Sequence, residues 1–360
     1  MKDKRLMSIL LAIMTLSSII QHALAWTSPF KASSTSAAPA LGKKSTALNV
    51  LKELNRSKKL ASYVKPDATA IVTGGNSGIG VATVSTLALS GMKVVLCARN
   101  MKSAQEAREQ VPEWCRDNVS IQKLDLADFD SIQQACREIV EKHNNIHVLV
   151  NNAGVMALPK RMETKQGIEM QVGTNHVGHH MFTRLLLPSL KENSRIVTVA
   201  SMAHQMDKGG DWDSVESYSA WQTYGKSKLA NVLFAKSLQD KLNEAGRADI
   251  YSVSLHPGVI KSNLWRNTPS ILQGVVGIFA DKTVEQGAAT NVYCALASEV
   301  EGGAYYKDCH VETPTTVAQD AALREDLWSY TEKLIGNKGY ELPSTLVKET
   351  ATLSESTLVT

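Results

Sequence analysis

Cysteine is scarce and dispersed in this chain: Cys97, Cys115, Cys136, Cys294 and Cys309 form no C-x-x-C pair and no cluster with histidine. That spacing argues against structural zinc and a disulfide framework, and it suits a reducing compartment. No metal ligands are assigned. The G-x-S-x-G elbow of many hydrolases is also missing. Basic clusters with interleaved aromatics are lacking too. The net charge of +4 comes from residues 1–66, which hold eleven Lys/Arg against two acidic residues, leaving 28 basic against 33 acidic beyond them. No nucleic-acid partner is expected.

Acidic residues are absent between Asp3 and Glu53. Within that stretch, Leu6 to Ile20 is uncharged and mostly apolar, short for a membrane span, and Ala23-Leu24-Ala25 follows as an A-x-A cleavage pattern. Residues 1–25 read as a signal peptide. Residues 26–65, rich in Ser, Thr and Ala, read as a transit-peptide-like leader or linker. Together they resemble a bipartite plastid-targeting leader, with Trp26 just past the cut. The other readings are an anchor in the ER membrane and a retained secretory enzyme.

What the chain does have is glycine placed after short apolar runs. The stretch "ATAIVTGGNSGIG" begins with a β-branched run, Ala68 to Thr73, then breaks at Gly74, Gly78 and Gly80. The spacing is G-x-x-x-G-x-G, not G-x-G-x-x-G, but the physics is shared. Bare backbone approaches a pyrophosphate resting on the positive end of the following helix. A second strand, "MKVVLCARN", ends in Arg99 where NAD enzymes of this architecture carry an acid. An arginine there pairs a 2′-phosphate, which favours NADP, or else it merely exits a strand into solvent. A third strand, "VSIQKLDL", brings Asp125 to its end, placed to accept from an adenine amino group. A fourth, "IHVLVNNAG", turns at Asn151 and Gly154. Helical segments separate these strands at lengths that suit right-handed crossovers. The expectation is an α/β fold: a Rossmann-like, doubly wound parallel sheet with helices on both faces, in a single domain over 66–340. Residues 341–360 are polar and read as a disordered tail.

The chemistry-bearing residues come later. A strand ends in Ser201, and Asn175 sits oddly inside a long helix. Tyr224 and Lys228 lie one turn apart on a helical face, where an ammonium beside a phenol favours the phenolate. His176, His179, His180 and His204 read as structural. Residues 73–80, the NNAG of 151–154, Asn175, Ser201, Tyr224-x-x-x-Lys228 and Pro257-Gly258 occur in an order and spacing that resembles the short-chain dehydrogenase/reductase family. "RIVTVASMAH", "YGKSKLANVLFAKSL" and "GGAYYKDCHVETPT" look most like its retinol dehydrogenase and WW-domain oxidoreductase branch.

That resemblance implies roles. Tyr224 would be the general acid/base, and Lys228 would bind the nicotinamide ribose and depress the phenol's pKa. Ser201 would hydrogen-bond the reacting oxygen, and Asn175 would kink its helix and hold a relay water. NADP would lie on Gly74, Asn76, Ser77, Gly78, Ile79, Gly80, Arg99, Asp125, Leu126, Asn152, Ala153, Gly154, Pro257, Gly258, Ile260 and Ser262. The apolar stretch Asn263 to Ala280 stands where the family places a substrate lid, or else it is a helix packed on the core. A lid of that composition suits a small lipophilic alcohol, aldehyde or ketone, with peripheral contact to a membrane. Two other functions stay open: reduction of a tetrapyrrole double bond, as in protochlorophyllide reductase, and an NADP(H)-sensing binding module. Oligomeric state is left open.

Overall fold

The computed structural model describes residues 41–212, 218–260, 282–344 and 346. An eight-stranded sheet runs in the order β3-β2-β1-β4-β5-β6-β7-β8. Its strands are β1 Thr69–Thr73, β2 Lys93–Ala98, β3 Val119–Lys123, β4 Ile146–Asn151, β5 Leu190–Val199, β6 Tyr251–His256, β7 Tyr305–Lys307 and β8 His310–Glu312. Neighbours pair in parallel from β3 through β7, and β8 returns antiparallel to β7.

Burial explains why the strand sequences are continuous apolar runs. All five residues of β1 are buried, as are five of the six in β4. A sheet covered on both faces needs apolar side chains on both. Alternation then sends Ala70, Val72, Val94, Leu96, Val148 and Val150 into one layer, and Ile71, Val95, Cys97 and Leu149 into the other. The helices Ala47–Arg56, Ile79–Leu89, Met101–Glu109 and Ala289–Leu296 cover the first layer. The helices Phe129–Lys142, Gly178–Leu186, Ala220–Glu244 and Ala321–Asn337 cover the second. β1 is flanked by β2 and β4, so the chain winds outward in both directions from this point. In such sheets the crevice at the carboxyl ends of those strands is where a dinucleotide binds.

Two expected boundaries move. The segment 26–65, read as leader or linker, contains the helix Ala47–Arg56, whose Val50 and Leu54 are buried in the first layer. Thr46 caps it through a reciprocal bond with Asn49. Its apolar stripe packs as part of the body, so the folded region reaches back at least to this helix. At the other end, Leu342 and Leu346 pack on the second layer, and Arg184 donates to the Pro343 carbonyl at 2.7 Å. Those contacts carry the body past residue 340, into the segment read as tail. Residues 1–40 and the stretch 263–280 lie outside the described residues, as does Ser262. Among the described residues, no helix is long and apolar enough to cross a membrane.

Candidate active site

The glycine loop sits at the carboxyl end of β1. Gly74 and Gly78 have φ of +63° and +53°, and the helix Ile79–Leu89 starts directly after Gly78. A Cβ on Gly80 would stand 2.2 Å from the Gly74 carbonyl oxygen and 2.8 Å from Asn152 Nδ2. On Gly74 it would stand 2.8 Å from the Ala153 Cα. Only bare backbone fits there, and the helix N-terminus adds partial positive charge. That cradle suits a pyrophosphate.

The loop is stitched to its neighbours through its own polar groups. Asn152 Nδ2 donates to the Thr73 carbonyl at 2.8 Å, and the N–H groups of Asn152 and Ala153 donate to Thr73 Oγ1 at 2.9 and 3.0 Å. Asn76 Nδ2 donates to Ser103 Oγ at 2.8 Å, fixing the loop to the start of the helix that follows Arg99. Arg99 is exposed, and so is Ser77. Asp125 is half-buried and accepts the Ala127 N–H at 3.0 Å, while Leu126 is buried beside it. Ile79 and Ile260 converge over Gly287, where a Cβ would stand 2.8 Å from one and 2.2 Å from the other.

Pro257 and Gly258 follow β6, with Gly258 at φ +97°. The buried side chain of Lys282 lies against Gly258, donates to the Pro257 carbonyl at 3.4 Å and pairs with Asp308. Asp308 and Cys309 hold positive φ in the turn between β7 and β8. All five cysteines are buried and free.

The proton-handling groups converge on Gly154. A Cβ built there would meet Asn175 Oδ1 at 3.3 Å and Lys228 Nζ at 3.7 Å. Asn175 lies in a π turn, Gly173–Val177, that interrupts its helix before Gly178–Leu186. Such turns recur at functional sites. Its amide donates to the Val155 carbonyl at 2.9 Å and to Ser227 Oγ at 3.0 Å, and its Oδ1 accepts the Val155 N–H at 2.8 Å. Tyr224 and Lys228 occupy the buried side of the helix Ala220–Glu244. Lys228 Nζ donates to the Val199 carbonyl at 2.9 Å and lies 5.7 Å from the centre of the Tyr224 ring. Ser201, at the mouth of β5, lies close enough to Tyr224 to draw the phenol's pKa down.

One electrostatic expectation needs correction. Burial pushes the Tyr224 phenol up to about 12, and the nearby Ser201 recovers only part of that. Burial also brings the Lys228 ammonium down to about 8. The chain's own groups therefore do not depress the phenol. Desolvation is the dominant cause, and the Lys228 ammonium, which gives one of its three hydrogens to Val199 and lies 5.7 Å from the ring centre, does not offset it.

Apolar side chains gather around the phenol. Met156, Ala157 and Ala203 are buried with Tyr224, and Met206, Ala220 and Trp221 pack on that cluster. Reasoning from the sequence missed the contributions of Thr73, Val155, Ser227 and Lys282. Only Ser227 and Thr73 carried a signal, as neighbours of the Tyr224 helix motif and the glycine loop. His179, read as structural, bonds both Thr73 and Asn175, and its position four residues after Asn175 was the available clue.

Comparison with known proteins agrees with this geometry. The profile of the short chain dehydrogenase family matches residues 68–271. A chloroplastic short-chain dehydrogenase of Brassica napus, TIC 32 B, is 36% identical over 285 residues, covering 74% of this chain and 88% of its own. Human retinol dehydrogenase 11 is 35% identical over 280 residues, covering 75% and 86%. A crystal structure of an uncharacterised Mycobacterium paratuberculosis protein superimposes with a TM-score of 0.62 at 30% identity, covering 80% of this chain and 98% of that one. With the expected sheet and the family's motifs both in place, this chain belongs to the short-chain dehydrogenase family, oxidoreductases that use a nicotinamide cofactor on alcohols and carbonyls, in its retinol dehydrogenase-like branch.

Proposed function

We propose that this chain is an NADP-dependent oxidoreductase that moves a hydride between nicotinamide and the alcohol/carbonyl pair of a small lipophilic substrate. The observation that carries the reading is the convergence of Tyr224, Ser201, Lys228 and Asn175 beside a glycine cradle closed to any side chain. Gly74, Gly78 and Gly80 would hold the pyrophosphate, Asp125 the adenine, and Arg99 the 2′-phosphate. The absence of an acid at the end of β2 supports the choice of NADP over NAD, because a carboxylate there would repel that phosphate.

When bound, the dinucleotide supplies the hydride and, in its oxidised form, a positive charge that favours the phenolate. In the reducing direction the Tyr224 hydroxyl gives its proton to the substrate oxygen as the carbon accepts the hydride. A phenol held up to about 12 by burial keeps that proton until needed. Ser201 donates to the same oxygen as charge develops on it. Lys228, fixed by Val199 through one of its three hydrogens, would hold the ribose hydroxyls with the others and supply the positive charge that the phenolate left on Tyr224 requires. Asn175 holds the segment from Val155 onward at its distance from Lys228.

Methionine and tryptophan line the phenol's surroundings, and such adaptable apolar walls suit a lipophilic molecule. The Brassica relative's chloroplastic name supports a plastid address for this chain, in keeping with its leader. The direct test is a panel of lipophilic aldehydes and ketones assayed by loss of NADPH absorbance, with NADH as control. Turnover with NADPH and much slower turnover with NADH is expected. Binding of neither nucleotide by folded protein would sink the reading.

A further inference from the structure

Thr73 closes β1, and His179 lies in the helix beyond the π turn. Their side chains meet in the interior, with Thr73 Oγ1 and His179 Nε2 2.8 Å apart. The other ring nitrogen, Nδ1, is 2.9 Å from the carbonyl oxygen of Asn175. A carbonyl only accepts, so Nδ1 carries the hydrogen. The ring is fully enclosed, and burial lowers its pKa to about 4, so it stays neutral. Nε2 is therefore a lone pair, and the Thr73 hydroxyl donates to it. Thr73 Oγ1 is left to accept the N–H groups of Asn152 and Ala153, which it does at 2.9 and 3.0 Å. In this series of bonds the Val150 carbonyl, 3.4 Å from Thr73 Oγ1, is the farther of the two acceptors within reach of that hydroxyl hydrogen, and the shorter contact to the bare Nε2 takes it.

The two ends of that series belong to different parts of the site. Asn152 and Ala153 form the turn packed on Gly74 and Gly80. Asn175 is the residue whose amide clamps Val155 and reaches Ser227, one residue before Lys228. In the π turn the backbone bonds shift by one residue, as Gly178 N–H bonding Gly173 O shows. A side-chain donor on the Asn175 carbonyl fixes the orientation of the turn at the residue that matters.

We infer that His179, through its Nδ1–H tautomer, is a positioning residue that locks the Asn175 turn to the Thr73–Asn152 edge of the nucleotide cradle. The inference rests on the hydride-transfer reading above. The two act on separate observables, because a tautomer is read without turnover.

The test has two parts. In protein labelled with 15N-histidine, two-bond proton–nitrogen correlation at neutral pH should give His179 as the Nδ1–H form, identified by loss of its signals in His179→Leu. The Nε2–H form in the wild type overturns the inference. Kinetically, His179→Leu should lower kcat about 10- to 100-fold, as misplacement of reacting groups does, with the NADPH dissociation constant held within about 3-fold. His179→Gln, which keeps one donor and one acceptor on a planar group, should recover most of that loss. A His179→Leu enzyme with wild-type kcat overturns the inference. So does parallel loss of thermal stability, nucleotide affinity and rate that glutamine fails to restore, because that pattern belongs to packing alone. A wild type that shows the Nδ1–H tautomer and binds NADPH, yet reduces no carbonyl, is instead a failure of the hydride-transfer reading.

Discussion

Asn175 pairs with Val155 as one strand pairs with another: its amide oxygen accepts the Val155 N–H at 2.8 Å, and its amide nitrogen donates to the Val155 carbonyl at 2.9 Å. Both backbone groups belong to the segment leading out of the NNAG turn, which has no ladder partner there. Asn175→Ala removes donor and acceptor together. Leaving a buried polar group unsatisfied costs about 1–3 kcal/mol. The expected result is a loss of about 2–4 kcal/mol in chemical unfolding, together with a fall in turnover. Equal stability in the alanine variant would show that the clamp is dispensable.

Removing the Tyr224 hydroxyl should separate chemistry from binding. The ring of Tyr224 is buried among Met156, Ala157 and Ala203, and phenylalanine fills that space. Tyr224→Phe is expected to fold, to bind NADPH within a few-fold of wild type by fluorescence titration, and to lose about 100- to 10,000-fold in kcat. Turnover equal to wild type would rule out Tyr224 as the proton donor.

The central sheet was largely legible from the sequence because β1, β2 and β4 are buried along nearly their whole length, and such runs stand out between glycines and amphipathic helices. β1, β2, β3 and β4 lie where the apolar runs placed them. The helix Ala47–Arg56 was obscured by composition. Its surroundings are basic and rich in Ser and Thr, and that composition masked a stripe of Ala47, Val50, Leu51 and Leu54 at helical spacing. The tail's Leu342 and Leu346 were hidden likewise, since two leucines in a polar stretch show their use only against a surface already built. In the site, spacing within one helix identified Tyr224 and Lys228. It gave no sign that Lys228 would donate to the Val199 carbonyl, because that contact joins residues 29 apart in the chain. Desolvation is equally invisible in a linear string, and it set both pKa directions.

On the proposed NADP reading, cofactor choice would turn on one exposed side chain. Arg99 stands just past the end of β2, before the helix that Asn100 caps through the Ser103 N–H. Replacing it with aspartate would put an acceptor for a ribose 2′-hydroxyl where the proposal places a phosphate partner. Loss of a charge-assisted, bidentate contact and gain of repulsion should lower kcat/KM for NADPH about 10- to 100-fold or more, at about 1.4 kcal/mol per tenfold. NADH should be used better by Arg99→Asp than by wild type. An unchanged ratio of the two nucleotides would show that Arg99 only exits a strand.

Buried histidines should make the fold acid-labile well before its carboxylates titrate. Burial lowers the pKa of His176, His179, His180, His204 and His256, with His179 brought down to about 4. In the unfolded chain the same rings titrate near 6.5. Between about 6.5 and the depressed folded values the unfolded state binds more protons, so acid favours unfolding. Their contribution is complete above about 6.5 and is lost as the pH falls toward the folded values. Each group still neutral in the fold costs about 1.4 kcal/mol per pH unit in that window. Carboxylates begin to contribute only near 4.3 and below. The melting temperature should therefore be nearly level from pH 8 to 7 and drop steeply between about 6.5 and 5. Scanning calorimetry across that range checks it, and a level profile down to pH 5 would mean that these rings are charged, or exposed to water, in the folded protein.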